Sequence, residues 1–267
     1  MPNTSTPIHF ELSVLGSGAG ASYLYDNLPS SSLMLLANQQ PICLIDLGLG
    51  VSQQVLAQFK GFPEQIIITH NHSDHAGELP VILRVEQARG RKLQVFAEQA
   101  ISERLQTHRM AEHHQMLAPT EIADWIAPEA GKRVALSHGL EIVFYPGVHS
   151  EASCGFILYE QETALLSYTG DSQLNADFYQ TLNQAKTFIM DARPKPNPWH
   201  ADFTAIQAWL NQLEAQFEAQ AKTPITANVM QNRYILGHGL NPKQDNRTQL
   251  NGLQAPLLFT GDRVRLN

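Results

Sequence analysis

Cysteine is scarce in this chain: Cys43 and Cys154 are the only two in 267 residues. Two thiols cannot build a disulfide framework or a cysteine zinc knuckle, and each sits in or beside an apolar run, where a buried thiol is expected. Long hydrophobic runs are missing too. No stretch approaches the roughly 18 apolar residues that a membrane-crossing helix needs. The first residues carry neither a basic stretch nor an apolar core of the kind that opens a signal peptide, so a cytoplasmic location is expected. Basic charge is in the minority, with 18 Lys and Arg against 25 Asp and Glu and a net charge of −7. That argues against a uniformly basic nucleic-acid groove and leaves room for a local positive pocket. Repeats, low-complexity tracts and long linkers are lacking, and one domain over residues 1–267 is expected.

What is there begins with a sufficient core, since 43% of the residues are hydrophobic. Residues 65–68, Gln-Ile-Ile-Ile, read as a short buried strand, and directly after it come His70, His72, Asp74 and His75. His70 and His72 are two apart, so on a backbone leaving a strand their imidazoles face one side and can share an ion. Asp74 and His75 fall off that face and suit a second ion beside the first. Imidazole nitrogens with a carboxylate oxygen suit zinc, with iron or manganese as alternatives. With only 11 His in the chain, a chance polar loop does not account for this spacing.

His-x-His-x-Asp-His after a strand resembles the first metal motif of the metallo-β-lactamase-fold hydrolases. The resemblance implies an α/β protein, a four-layer αββα sandwich of two mixed β-sheets flanked by helices. It also implies two divalent metal ions, most simply zinc. Further pieces agree with it. A strand at 141–145 is followed by Pro-Gly-Val-His149-Ser, and His149 stands where the family places the ligand that completes the first site with His70 and His72. A hairpin over 156–159 and 163–168 runs into Thr-Gly-Asp171-Ser, matching the family's bridging aspartate, whose two oxygens can each hold one metal. Near the end, Gly-His238-Gly after a strand matches the last ligand of the second metal, and it is preferred there over His200. The resemblance gives Asp46 a supporting role behind the metal loop, and it places Asp74 among the catalytic residues as well as the ligands.

Other features read as structural. Gly-x-Gly-x-x-Ala at 16–21 follows a strand, but the Pro-, Ser- and Asn-rich stretch behind it offers no amphipathic helix to carry a pyrophosphate. Helices are expected at 51–59, 79–88, 101–117 and 201–221, and strands at 33–37, 42–47, 93–96, 186–191, 225–229 and 233–236, with a late strand at 257–259 closing a sheet edge. His108, His113 and His114 lack the four-residue spacing of a helical ligand pair, and His138 reads as a turn residue. Pro194, Pro196 and Pro198 stiffen a loop that carries Arg193, Lys195 and His200.

The constellation implies hydrolysis by a metal-bridging hydroxide. Position 72 is His, where di-iron redox members of the family carry Glu. The opening Gly-x-Gly loop and Asp74-His75-x-x-x-Leu79-Pro80 are similar to ribonuclease Z. That group carries its tRNA-gripping arm between the ligands corresponding to His149 and Asp171, and their separation of 22 positions here leaves no space for it. The spacing is closer to the small phosphodiesterases of the fold, such as the cyclic-phosphate phosphodiesterase of the phosphonate pathway. A small or cyclic phosphodiester is therefore the expected substrate, with nucleic acid and membrane not expected as partners and a homodimer an allowed state. By the same resemblance His200 assists the leaving group, and Arg193 or Lys195 contacts phosphate oxygens; for His200 the alternative is a packing residue beside Trp199. A thioester or lactone hydrolase of the glyoxalase II or lactonase type is the enzymatic competitor, although Glu78 replaces the second glycine of glyoxalase II-like chains. A metal-bound binding module without turnover is the competitor of another class.

Overall fold

Alternation within the central strands decides the layering. In residues 154–160, Phe156 and Leu158 belong to one apolar core while Ile157 and Tyr159 belong to another. The same split separates Ile142 and Phe144 from Val143, and Ile189 from Phe188 and Met190. A strand whose two faces are both apolar must be covered on both sides, so the sheet that holds these strands lies inside the protein. One core is shared with a second sheet; the other is closed by helices, with Tyr179 and Trp209 packed edge-to-face on each other and on Phe188.

In this computed structural model the described residues are 8–20, 22–220, 232–240 and 254–267, with backbone alone for 217–220. They form strands β1 (Phe10–Gly16), β2 (Ser32–Ala37), β3 (Gln40–Ile45), β4 (Gln65–Ile67), β5 (Gln94–Phe96), β6 (Asp124–Ile126), β7 (Arg133–Ala135), β8 (Leu140–Pro146), β9 (Cys154–Glu160), β10 (Thr163–Tyr168), β11 (Thr187–Ala192), β12 (Arg233–Gly237), β13 (Leu257–Leu258) and β14 (Arg263–Arg265). The helices are α1 (Ser22–Asp26), α2 (Val51–Phe59), α3 (Ser73–Ala76), α4 (Leu79–Ala88), α5 (Gln99–Thr107), α6 (Pro119–Ile122), α7 (Ala176–Leu182) and α8 (Phe203–Gln220). Two seven-stranded mixed sheets result, in the orders β14-β1-β2-β3-β4-β5-β6 and β13-β12-β11-β10-β9-β8-β7. Helices α2 and α4 pack Val51, Val55, Leu79 and Leu83 into the shared core, and α7 and α8 cover the outer face of the second sheet. This is the expected αββα sandwich. Among the described residues no helix is long and apolar enough to cross a membrane.

Parallel pairing positions the site. β3, β4 and β5 run parallel, as do β10, β11 and β12, so their carboxyl ends lie along one rim of the sandwich. In open α/β sheets the loops leaving those ends are where ligands bind. β13 closes a sheet edge beside β12, as the late apolar pair implied.

Three expectations need correction. The helix expected over 101–117 is α5 to Thr107, followed by a 3-10 turn at Arg109–His113. Thr107 turns its hydroxyl back onto the Glu103 carbonyl at 2.7 Å, a contact that weakens a last helical turn. The stretch after the glycine loop does hold one short helix, α1, although none of its residues is buried. The strand expected over 42–47 ends at Ile45, because Asp46 adopts φ 62° and turns its carboxylate under the metal loop. The strand expected at 225–229 and the last residue of the helix expected over 201–221 lie outside the described residues.

Candidate metal centre

The candidate ligands sit in the loops leaving strand ends or in the short helix that follows one. His70 and His72 follow β4, Asp74 and His75 sit in α3, His149 follows β8, Asp171 follows β10 and His238 follows β12. Two close backbone approaches tie these loops together, and both demand glycine. A Cβ on Gly48 would collide with the backbone carbonyl of Asp74, and one on Gly170, at φ +58°, would lie 2.7 Å from the Cys154 carbonyl oxygen.

The side chains converge in two groups. Nδ1 of His72 lies 3.1 Å from Nε2 of His70 and 3.1 Å from Nε2 of His149. Tetrahedral zinc with nitrogens at about 2.0–2.1 Å would hold neighbouring nitrogens roughly 3.3 Å apart, close to this spacing. Asp74, His75, Asp171 and His238 form the second group, all buried. Asp171 stands between the two: its Oδ2 is 3.8 Å from Nε2 of His70, 3.9 Å from Nε2 of His149 and 3.7 Å from Nε2 of His238, and its Oδ1 is 3.3 Å from Nε2 of His75. His108, His113, His114 and His138 join neither group, and His138 occupies a left-handed turn at φ 59°.

The other nitrogen of four of the five imidazoles, all but His72, has a hydrogen-bonding neighbour, which fixes the ring. Nδ1 of His75 is 2.8 Å from Oδ2 of Asp46, whose Oδ1 also accepts the Thr69 amide at 2.8 Å. Nδ1 of His238 meets the Ser31 hydroxyl at 2.8 Å, Nδ1 of His149 meets the Trp199 carbonyl at 2.9 Å, and Nδ1 of His70 lies 3.1 Å from the Thr69 hydroxyl. The glycine loop takes part as well, since the Gly20 amide donates to Oδ2 of Asp74 at 2.6 Å. The glycine loop is thereby tied to the cluster.

With those neighbours satisfied, Nε2 of His75, Nε2 of His238 and Oδ1 of Asp171 remain buried without a well-formed hydrogen bond. Buried polar atoms without partners cost roughly 1–3 kcal/mol each, and a cation bound by them removes that cost. The donors, their burial and their convergence fit a divalent metal, and the centre is a divalent-metal-binding one.

Electrostatics point the same way. Burial opposes charge on both Asp171 and His75; His238 and His75 nonetheless hold Asp171 well below the usual carboxylate range, and Asp171 and Asp46 hold His75 well above the usual imidazole range. Burial, with His75 adding to it, keeps His70 well below its ordinary value, and burial lowers His238. Among these buried imidazoles His75 is thus the one whose protonated form its surroundings favour. Metal uptake needs its Nε2 lone pair, so loading is expected to release about one proton per chain, and to release none at pH values above the raised value of His75. Calorimetry in buffers of different ionisation enthalpy measures this; no release at neutral pH would contradict the pairing.

His200 lies beside the cluster. Its Nδ1 is 2.8 Å from Oδ2 of Asp191, its ring stacks on His238 at 5.2 Å and meets His149 edge-on at 5.0 Å. With Asp171, Asp191 and His238 it could also form a third donor group. Arg193 lines the same cleft with its Nε buried and unpartnered, whereas Lys195 is exposed and lies outside the lining. The cleft, ≈ 430 Å³, is bounded by Gly20, His72, Asp74, His149, Asp171, Asn197 and Trp199 among others. Sequence reasoning passed over Asp191, Ser31 and Thr69. For Asp191 the signal existed, a carboxylate at the end of an apolar strand, as at Asp171.

A sequence profile of the Anti-Pycsar protein Apyc1 family matches residues 10–220. Ribonuclease Z of Leuconostoc mesenteroides subsp. mesenteroides is 26% identical over 158 residues, 57% of this chain and 48% of that protein. The chain spans about half the length of that relative. Among solved structures, the metallo-β-lactamase fold protein YhfI from Bacillus subtilis superposes with a TM-score of 0.68 at 13% identity, covering 97% of this chain and 100% of that one. A diphosphatase from the PhnP family superposes with a TM-score of 0.64 at 17% identity, covering 96% and 97%. These likenesses establish the metallo-β-lactamase fold. Within that fold, with most of its length matched by one profile, the chain belongs to the Anti-Pycsar protein Apyc1 family.

Proposed function

We propose that this protein is a hydrolase that holds two divalent cations, zinc in the first instance and manganese or iron with the same donors, and that it cleaves a small or cyclic phosphodiester. His70, His72 and His149 hold one cation, Asp74, His75 and His238 the other, and Asp171 serves both. The observation that carries the reading is the convergence of three buried donor atoms without a well-formed hydrogen bond, on His75, His238 and Asp171, next to the paired His200 and Asp191. When bound, such cations supply an acidified water as nucleophile and positive charge opposite the attacked group.

The chain's own groups account for the rest. Arg193 meets anionic phosphate oxygens with a guanidinium that nothing else in the cleft satisfies at Nε. Lys195, exposed on the same loop, adds attraction at longer range. Asp191 occupies Nδ1 of His200, which leaves Nε2 as the atom that hands a proton to the departing alkoxide. Asp74, held by the Gly20 amide, keeps a fixed carboxylate at the cleft wall. A cleft of ≈ 430 Å³ suits a small substrate better than a folded RNA.

A thioester or lactone hydrolase would use the same centre. A thiolate departs without a proton, however, and the oriented His200–Asp191 pair would then have no task. Glu78 also speaks for a separate design here: its two carboxylate oxygens accept the Gly50 and Ser52 amides at 2.7 Å each, at the start of α2. Bis-p-nitrophenyl phosphate, a thioester, a lactone and a short RNA, each assayed with zinc and with manganese, test the reading. Turnover of the phosphodiester above all three others is expected. Preference for the thioester or lactone overturns the substrate class, RNA as the best substrate overturns the size restriction, and no turnover with either metal favours a binding module.

A further inference from the structure

Among the ligand candidates His72 is the outlier: its side chain is 36% exposed, against 0% for His70 and 2% for His149. A half-exposed ring on a loop loses rotational freedom when it binds a cation, and that loss weakens binding unless something has already fixed the ring. The structure supplies such a fixture from a different part of the chain.

Asn71, the buried residue between His70 and His72, is gripped by Arg109 from the 3-10 turn after α5. Nε of Arg109 donates to Asn71 Oδ1 at 3.0 Å, and Nη2 donates to the Asn71 backbone carbonyl. One planar guanidinium thereby serves both oxygens of the residue that joins the two ligands. On the other flank, Oε2 of Glu151 lies 3.6 Å from Nε2 of His72, the nitrogen left over when Nδ1 faces His70 and His149. Oε1 of Glu151 is itself held by Nε of Arg104 at 3.0 Å and reached by Asn71 Nδ2 at 3.5 Å. None of these bonds reaches the group of Asp74, His75, Asp171 and His238, which depends on Asp46, Ser31 and Gly20 instead.

The geometry points to Arg109 and Glu151 as positioning residues that set the cation affinity of the three-histidine group separately from that of its neighbour. This rests on the two-cation reading of the centre. It also runs against simple electrostatics: a guanidinium close to a cation site repels the cation, so charge alone would make removal of Arg109 tighten binding.

Cobalt(II) titration of the metal-free full-length chain, followed by visible absorption and elemental analysis, tests the proposal with Arg109→Ala, Arg109→Lys and Glu151→Gln beside the unaltered protein. The unaltered protein is expected to show two binding phases. In Arg109→Ala one phase weakens by about ten- to a hundredfold while the other is unchanged. Arg109→Lys does not restore it, because an ammonium lacks the planar fork that serves both oxygens. Glu151→Gln, which preserves shape and should fold even if Arg109→Ala does not, weakens the same phase less. Equal weakening of both phases, tighter binding in Arg109→Ala, or unchanged phases in all variants overturns the proposal while leaving the centre standing. An unaltered protein that takes up no cobalt overturns the centre and the proposal together.

Discussion

Asp171→Asn is expected to hold no more than one divalent ion and to hydrolyse phosphodiesters at least about a thousandfold more slowly than the unaltered chain. The asparagine keeps one oxygen in place but turns the second donor into an amide NH2, which has no lone pair for a cation. That second oxygen matters because Asp171 lies within 3.9 Å of ligand nitrogens on both sides of the cluster, from His70 and His149 to His75 and His238. No other carboxylate among the described residues has this position. The variant also removes one of the two carboxylate charges that raise His75, leaving Asp46, so metal uptake by the remaining group should release no more protons than in the unaltered chain. Elemental analysis and calorimetry check both statements. Two ions per chain in Asp171→Asn would remove the bridging role.

His200→Ala should behave differently. Turnover of a phosphodiester with an alkoxide leaving group is expected to fall by about a hundredfold or more, with metal content unchanged. A p-nitrophenyl ester, whose leaving group needs no proton, should lose far less. The contrast follows from position: His200 stacks on His238 and is held by Asp191, while the seven candidate ligands would suffice to hold the cations without it. Asp191→Asn should reproduce part of the loss, since it leaves the ring in the cleft without a fixed orientation. Loss of a metal ion in His200→Ala would instead assign His200 to the third donor group, with Asp171 and Asp191. Equal loss on both esters would reduce it to a packing residue beside Trp199.

Local chemistry explains what the sequence made legible. Ligands separated by one or two residues, such as His70, His72, Asp74 and His75, announce themselves because a strand end fixes where they point. His149, Asp171 and His238 each follow an apolar strand directly, and strand ends share one rim once the parallel order is set. Asp46 was legible in role but not in means, since its left-handed backbone and its bonds to Thr69 and His75 span more than twenty positions. Arg109, Glu151 and Ser31 carry no local signal at all: each acts on a residue 38 or more positions away. The three-residue strands β6, β7 and β14 escaped for another reason. They are edge or near-edge strands whose burial depends on neighbours, and three residues are too few for alternation to show. Lys195 is a long side chain on a proline-stiffened loop, where sequence fixes the neighbourhood and not the direction.

Anomalous diffraction from crystals of the zinc-loaded chain tests the central claim most directly. Two peaks a few ångströms apart are predicted, one enclosed by His70, His72 and His149 and one by Asp74, His75 and His238, with Asp171 between them. A cluster that takes up no zinc, or zinc held by other side chains, would contradict it.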